Sequence, residues 1–90
     1  MLQTITITVK GKVQGVNFRA AARKKAEELA ITGHVKNLAD GDVEITATGT
    51  EVALHALMDW CKIGPPLATV EDVVVAIRGL QNFRNFVIRR

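Results

Sequence analysis

From Leu2 to Lys10 the chain alternates, with Ile5, Ile7 and Val9 on one side and Thr4, Thr6 and Thr8 on the other. A two-residue period is that of a strand with one buried face, so a first strand is predicted here. Gly11 and Gly15 then punctuate a loop. Beyond it Phe18, Ala22, Ala26 and Leu29 recur every three or four residues, the spacing of one helix face, with Asn17 placed to cap that helix and Gly33 to close the helical region. Two short strands follow, around Val35 and from Asp42 to Thr48. Asp40-Gly41 between them is a hairpin turn pair, so the two are expected to be antiparallel. Thr50 caps a second helix, in which Leu54, Leu57, Met58 and Cys61 form one apolar stripe and which Gly64-Pro65-Pro66 ends. Val70, Val73, Val75 and Ile77 mark a fourth strand. A turn at Gln81-Asn82 leads into a last short strand carrying Phe86 and Ile88.

The order β-α-β-β-α-β plus a terminal strand predicts an α+β, ferredoxin-like sandwich: one antiparallel sheet with both helices on a single face and a short C-terminal strand. Ninety residues leave room for one hydrophobic core, so residues 1–90 are read as a single domain. Apolar residues make up 48% of the chain, but no run approaches the ~20 consecutive apolar residues that span a bilayer. The first residues alternate and show no apolar signal core with a cleavage site. Cys61 is the only cysteine and has no internal disulfide partner, as expected of a reducing compartment. A soluble, cytoplasmic protein is therefore expected, with a monomer the simplest assembly for one small enclosed core.

Twelve Lys and Arg against nine Asp and Glu give a net charge of +3, which favours the approach of anionic ligands without choosing among them. The ferredoxin-like fold does not choose either, because it carries many functions. The choice turns on residues 11–19, Gly11-Lys12-Val13-Gln14-Gly15-Val16-Asn17-Phe18-Arg19, between the first strand and the first helix. Successive backbone N–H groups and a helix N-terminus can converge there on an anion. The glycines permit close approach, and an arginine in the first helical turn presents a fork matched to phosphate oxygens. Neither the nucleotide P-loop pattern nor the dinucleotide glycine pattern is present. Taken by spacing alone, a glycine-containing turn followed by an arginine is more often structural than a binding site.

The wording G-x-V-Q-G-V-x-F-R, followed by Lys36-Asn37 and by Asp40-Gly41-Asp42-Val43-Glu44, closely resembles the acylphosphatase family. Gly64-Pro65-Pro66 with Ala68 and Val70, and Phe86-Val87-Ile88-Arg89, extend the resemblance over essentially the whole chain. It implies hydrolysis of the carboxyl–phosphate bond of small acyl phosphates, such as acetyl phosphate or a bisphosphorylated glycerate, with no metal or cofactor. Arg19 would bind the phosphate, Asn37 would orient the water, and the segment Gln14, Gly15, Val16, Asn17 and Phe18 would line the phosphate cradle with its amides. Inorganic phosphate or a similar anion would occupy the same loop. Two residues depart from the family pattern: Asn17, where Gly or an aromatic is usual, and His34, where Trp is usual. Asn17 reads as a helix cap, and His34 as a strand residue that titrates near neutral pH.

Other side chains carry less. Cys61 lies on the apolar stripe and reads as a small core hydrophobe. Two histidines and one cysteine lack zinc spacing, and no C-x-x-C occurs. Trp60 follows neither stripe nor motif and is expected at an edge of the helix–sheet interface. Lys10, Lys12 and Lys36 either steer anions toward the loop or solvate strand ends. Two rival readings share the fold. One is a non-catalytic anion-binding accessory module, which would lack Arg19 or Asn37. The other is a single-stranded RNA reader, which would need aromatics exposed on the central strands. Thr, Lys and Glu occupy those positions instead, so neither nucleic acid nor membrane is expected as a partner.

Overall fold

A computed structural model describes residues 1–90. Alternation builds the first strand as expected, although β1 (Leu2–Lys12) runs on through Gly11 and Lys12. Ile5, Ile7 and Val9 point into the core and are buried. The chain continues through α1 (Phe18–Glu28), β2 (Thr32–Asn37), β3 (Val43–Thr50), α2 (Glu51–Ile63), β4 (Thr69–Arg78) and β5 (Phe86–Ile88). The strands form one sheet in the order β4-β1-β3-β2-β5. β1 pairs antiparallel with β3 and β4, and β2 pairs antiparallel with β3. β5 joins the far edge parallel to β2, so the complete sheet is mixed.

Both helices cover one face. Phe18, Ala22 and Ala26 of α1 and Leu54, Leu57 and Cys61 of α2 are buried against Ile5, Ile7, Val9, Val35, Val43 and Ile45 of the sheet. The periodicities that marked these positions follow from packing a 3.6-residue repeat on a two-residue one. Thr50 caps α2 as expected, its Oγ1 accepting from Ala53 N–H at 3.2 Å.

The helix α1 stops earlier than its expected terminator. Ala30 takes the left-handed conformation (φ 57), its N–H donates to Glu27 at 3.2 Å, and Ile31 N–H donates to Ala26 at 2.9 Å. This is the Schellman arrangement, with alanine where glycine is usual. Gly33 instead lies inside β2 at φ 138, where a Cβ would fall 1.9 Å from the Thr46 carbonyl oxygen of β3. Two backbones approach too closely there for any side chain.

The second sheet face is less open than alternation alone implies. Gln81-Asn82 belongs to a longer segment, residues 79–85, that carries the chain from β4 at one edge to β5 at the other. Gln81 accepts from Thr48 Oγ1 at 2.7 Å and its N–H donates to Thr4 Oγ1 at 2.9 Å. Thr4 and Thr48 are themselves 2.6 Å apart and buried. Phe83 meets the His34 ring edge-on at 5.7 Å between centroids.

Candidate active site

The end of β1 and the start of α1 are joined by residues 13–17, in which Val13 and Val16 are buried anchors. Gly15 and Asn17 both take left-handed backbone conformations, at φ 74 and φ 67. Such turns swing consecutive N–H groups toward one side, and α1 begins at once with its own unpaired N–H groups. No acidic residue occupies the first turn of α1. The N-terminal end of the helix therefore keeps its positive character.

A cleft of about 180 Å³ opens over this turn, lined by Val13, Gly15, Asn17, Phe18, Arg19, Ala20, Asn37 and Ile88. Arg19 and Asn37, remote in sequence, meet here because Asn37 ends β2 in register with Val43, which in turn pairs with Val9. That register puts Asn37 on the helix-facing side of the sheet, beside the start of α1. The Arg19 guanidinium donates through Nη1 to the Arg89 carbonyl at 3.3 Å. Arg89 N–H in turn donates to the Val35 carbonyl at 2.8 Å. No carboxylate lines the cleft, so an anion entering it meets guanidinium, amides and the helix end without like-charge repulsion.

The remaining cradle residues divide. Gly15, Asn17 and Phe18 border the cleft, while the Val16 side chain is in the core. The Gln14 side chain is engaged with the β2–β3 loop, donating to the carbonyls of Leu38 at 2.7 Å and Asp42 at 2.8 Å. Phe18 is buried against Trp60 of α2, ring centroids 5.3 Å apart, which places Trp60 at the helix–helix edge of the core. Asn17 occupies the cap position but makes no capping hydrogen bond with its side chain. A cap residue accepts from the first turn with extended backbone geometry; at φ 67 Asn17 lacks that geometry. Ile88 and the Arg89 carbonyl join the site without any signal in the periodicity, although Phe86-Val87-Ile88-Arg89 belongs to the segments that match the family wording.

Titration separates the tempting side chains from the site. Burial pushes the Cys61 thiol up to about 12, so it carries no thiolate near neutrality. Burial, with Arg89 and Lys36 nearby, holds the His34 pKa below its ordinary 6.5, and its buried Nδ1 has no hydrogen-bond partner. Asp42 raises Lys10, the two joined at 2.7 Å. No group of three or more His, Cys, Asp and Glu side chains is placed to hold a metal ion, and no helix is long and apolar enough to cross a membrane.

The acylphosphatase family model matches residues 5–88, a span that contains the cleft's lining from Val13 to Ile88. The chain belongs to the acylphosphatase family. An acylphosphatase of Methylococcus capsulatus is 44% identical over 92 residues, covering 99% of this chain and 98% of that protein. The structure of an acylphosphatase from Coxiella burnetii is 45% identical with a TM-score of 0.95, covering 98% of this chain and 93% of that one. A crystal structure of acylphosphatase from Bacillus subtilis is 40% identical with a TM-score of 0.94, covering the whole of both chains. The agreement with these acylphosphatases extends over both helices and the five-stranded sheet, so the ferredoxin-like fold and the family are one conclusion.

Proposed function

We propose that the chain hydrolyses the carboxyl–phosphate bond of small acyl phosphates, with Arg19 and the amides of the 14–19 turn holding the phosphoryl group, Asn37 placing the attacking water, and no metal taking part. The observation that carries this reading is the meeting of Arg19 and Asn37 in one small cleft free of carboxylates. Phosphoryl transfer needs positioning and charge compensation more than a covalent partner. A guanidinium and a ring of N–H donors supply the compensation. An amide side chain can hold water by hydrogen bonds while adding no charge against an anionic substrate.

In the proposed step a water oxygen attacks phosphorus, the bond from phosphorus to the carboxylate oxygen breaks, and the carboxylate leaves with the electron pair. The water's proton passes to a phosphate oxygen of the substrate itself, since no Asp, Glu or His lines the cleft to take it. The products are a carboxylate and inorganic phosphate, and the latter competes for the cradle. One chain builds every wall of the cleft, and the lone thiol requires no oxidising surroundings, which supports a single-domain monomer working in the cytoplasm.

Phosphate release from acetyl phosphate or benzoyl phosphate in the presence of a chelator tests the reading. Metal-free turnover with a rate that does not follow an enzyme base near neutral pH is expected. Strict dependence on added divalent metal, or a neutral-range base in the pH–rate profile, would contradict it.

A further inference from the structure

Gln14 sits in the cradle turn, yet its side chain faces the β2–β3 loop. Its Nε2 donates to the Leu38 carbonyl at 2.7 Å and to the Asp42 carbonyl at 2.8 Å. An amide NH2 has two protons, so both are engaged and none is left for a ligand. The two carbonyls stand at the two ends of the loop that follows Asn37. That loop is already closed by its own bonds, Leu38 N–H to Asp42 at 2.8 Å and Gly41 N–H to Leu38 at 3.2 Å. It is also tied to β1 through Lys10 and Asp42. The bridge from Gln14 is therefore not needed to close the hairpin. What it adds is a direct link, one side chain long, between the turn that lines the cleft and the residue next to Asn37. The remaining routes are longer, across the sheet from β1 through β3 to β2, or through Arg19 and Arg89 to Val35 of β2.

We infer that Gln14 is a positioning residue: its side-chain amide sets the separation between the phosphate cradle and the Asn37 amide, and thereby places the water in line with the bond to be broken. The inference rests on the roles proposed above for the cradle and for Asn37. Gln14 itself does not line the cleft, and both protons of its side-chain amide are held by the β2–β3 loop. The geometric demand is steep, because a misplacement of about 1 Å can cost about 100-fold in rate.

Gln14→Met keeps the length of the side chain and removes both donors. Gln14→Glu keeps the shape and turns a carboxylate toward two carbonyl oxygens. Each is compared with the parent in kcat, in KM for benzoyl phosphate, and in inhibition by inorganic phosphate, which reads the cradle and Arg19 alone; each is also combined with Asn37→Ala. In folded Gln14→Met, kcat is expected to fall about 10-fold or more while phosphate inhibition stays within about 2-fold. On the Asn37→Ala background the same change is expected to add less than about 2-fold, because the group being positioned is gone. Gln14→Glu is expected to regain kcat relative to the parent as acid restores one donor proton.

A parent-like kcat in folded Gln14→Met overturns the inference, as does phosphate inhibition weakened in step with kcat, or a full loss on the Asn37→Ala background. Unfolding of both single variants makes Gln14 structural and overturns it as well. If Asn37→Ala retains parent activity, the assignment of Asn37 fails and the inference falls with it. If Asn37→Ala is impaired and Gln14→Met is not, only the inference fails.

Discussion

Asn17 shows how one residue's chemistry was legible while its backbone was not. Its type suits a helix cap, but the turn requires φ 67 at this position, a region that asparagine tolerates and most residues do not. Asn17→Gly is expected to fold and keep its phosphate affinity, whereas Asn17→Val is expected to lose about 1–2 kcal/mol of stability and to weaken phosphate inhibition, read from urea unfolding and steady-state kinetics. His34 was legible as a titrating strand residue. That it packs under Phe83 with a buried Nδ1 was not, because the contact joins residues from opposite ends of the chain. Its folded pKa lies below 6.5, so above that pH both folded and unfolded states hold it neutral and it costs nothing. As pH falls below 6.5 the unfolded chain takes up the proton more readily, and stability drops. His34→Phe should flatten the fall in unfolding free energy between about pH 8 and about pH 5, and an unchanged slope would show that other groups govern it.

Among the elements, periodicity located both helices, β1 and β4, because burying one face imposes the repeat, while the turn signals at Asp40-Gly41 and Gln81-Asn82 located β2, β3 and β5. Boundaries were harder where a residue stands outside its usual conformation. Gly33 is the glycine the sequence offers to close α1, yet Ala30 holds the left-handed position that closes the helix. Ala30→Gly is expected to raise stability by about 0.5–1 kcal/mol by relieving that conformation. Gly33→Ala is expected to cost at least about 3 kcal/mol or prevent folding, since its Cβ would meet the Thr46 carbonyl of the neighbouring strand. Thermal unfolding of the two variants separates the two glycine sites. β4 illustrates a different gap: its valines mark a strand, but only the sheet order makes it an edge, which leaves Ile77 84% exposed.

At the scale of the whole molecule the sheet order and the crossing segment 79–85 escaped the sequence reading, because both depend on which distant strands pair. The crossing matters to the site. It delivers β5 to the far edge, where Ile88 lines the cleft and the Arg89 carbonyl receives Arg19. Its anchor is the buried set of Thr4, Thr48 and Gln81. Thr48→Val removes two of those bonds at nearly constant volume and is expected to cost about 1–2 kcal/mol, a fall in midpoint that calorimetry would detect. The chemistry of the cleft was more legible than its walls: Arg19 and Asn37 were singled out from the motif wording, while their meeting required the register of β1, β3 and β2.

The roles of these two residues are best separated by inhibition with inorganic phosphate measured beside turnover of benzoyl phosphate, in the parent, Arg19→Ala and Asn37→Ala. Loss of phosphate inhibition together with turnover in Arg19→Ala, and retained inhibition with kcat lowered about 100-fold or more in Asn37→Ala, is the result that fits one residue holding phosphate and the other placing water. Phosphate inhibition retained in Arg19→Ala, or parent-like kcat in Asn37→Ala, would contradict it.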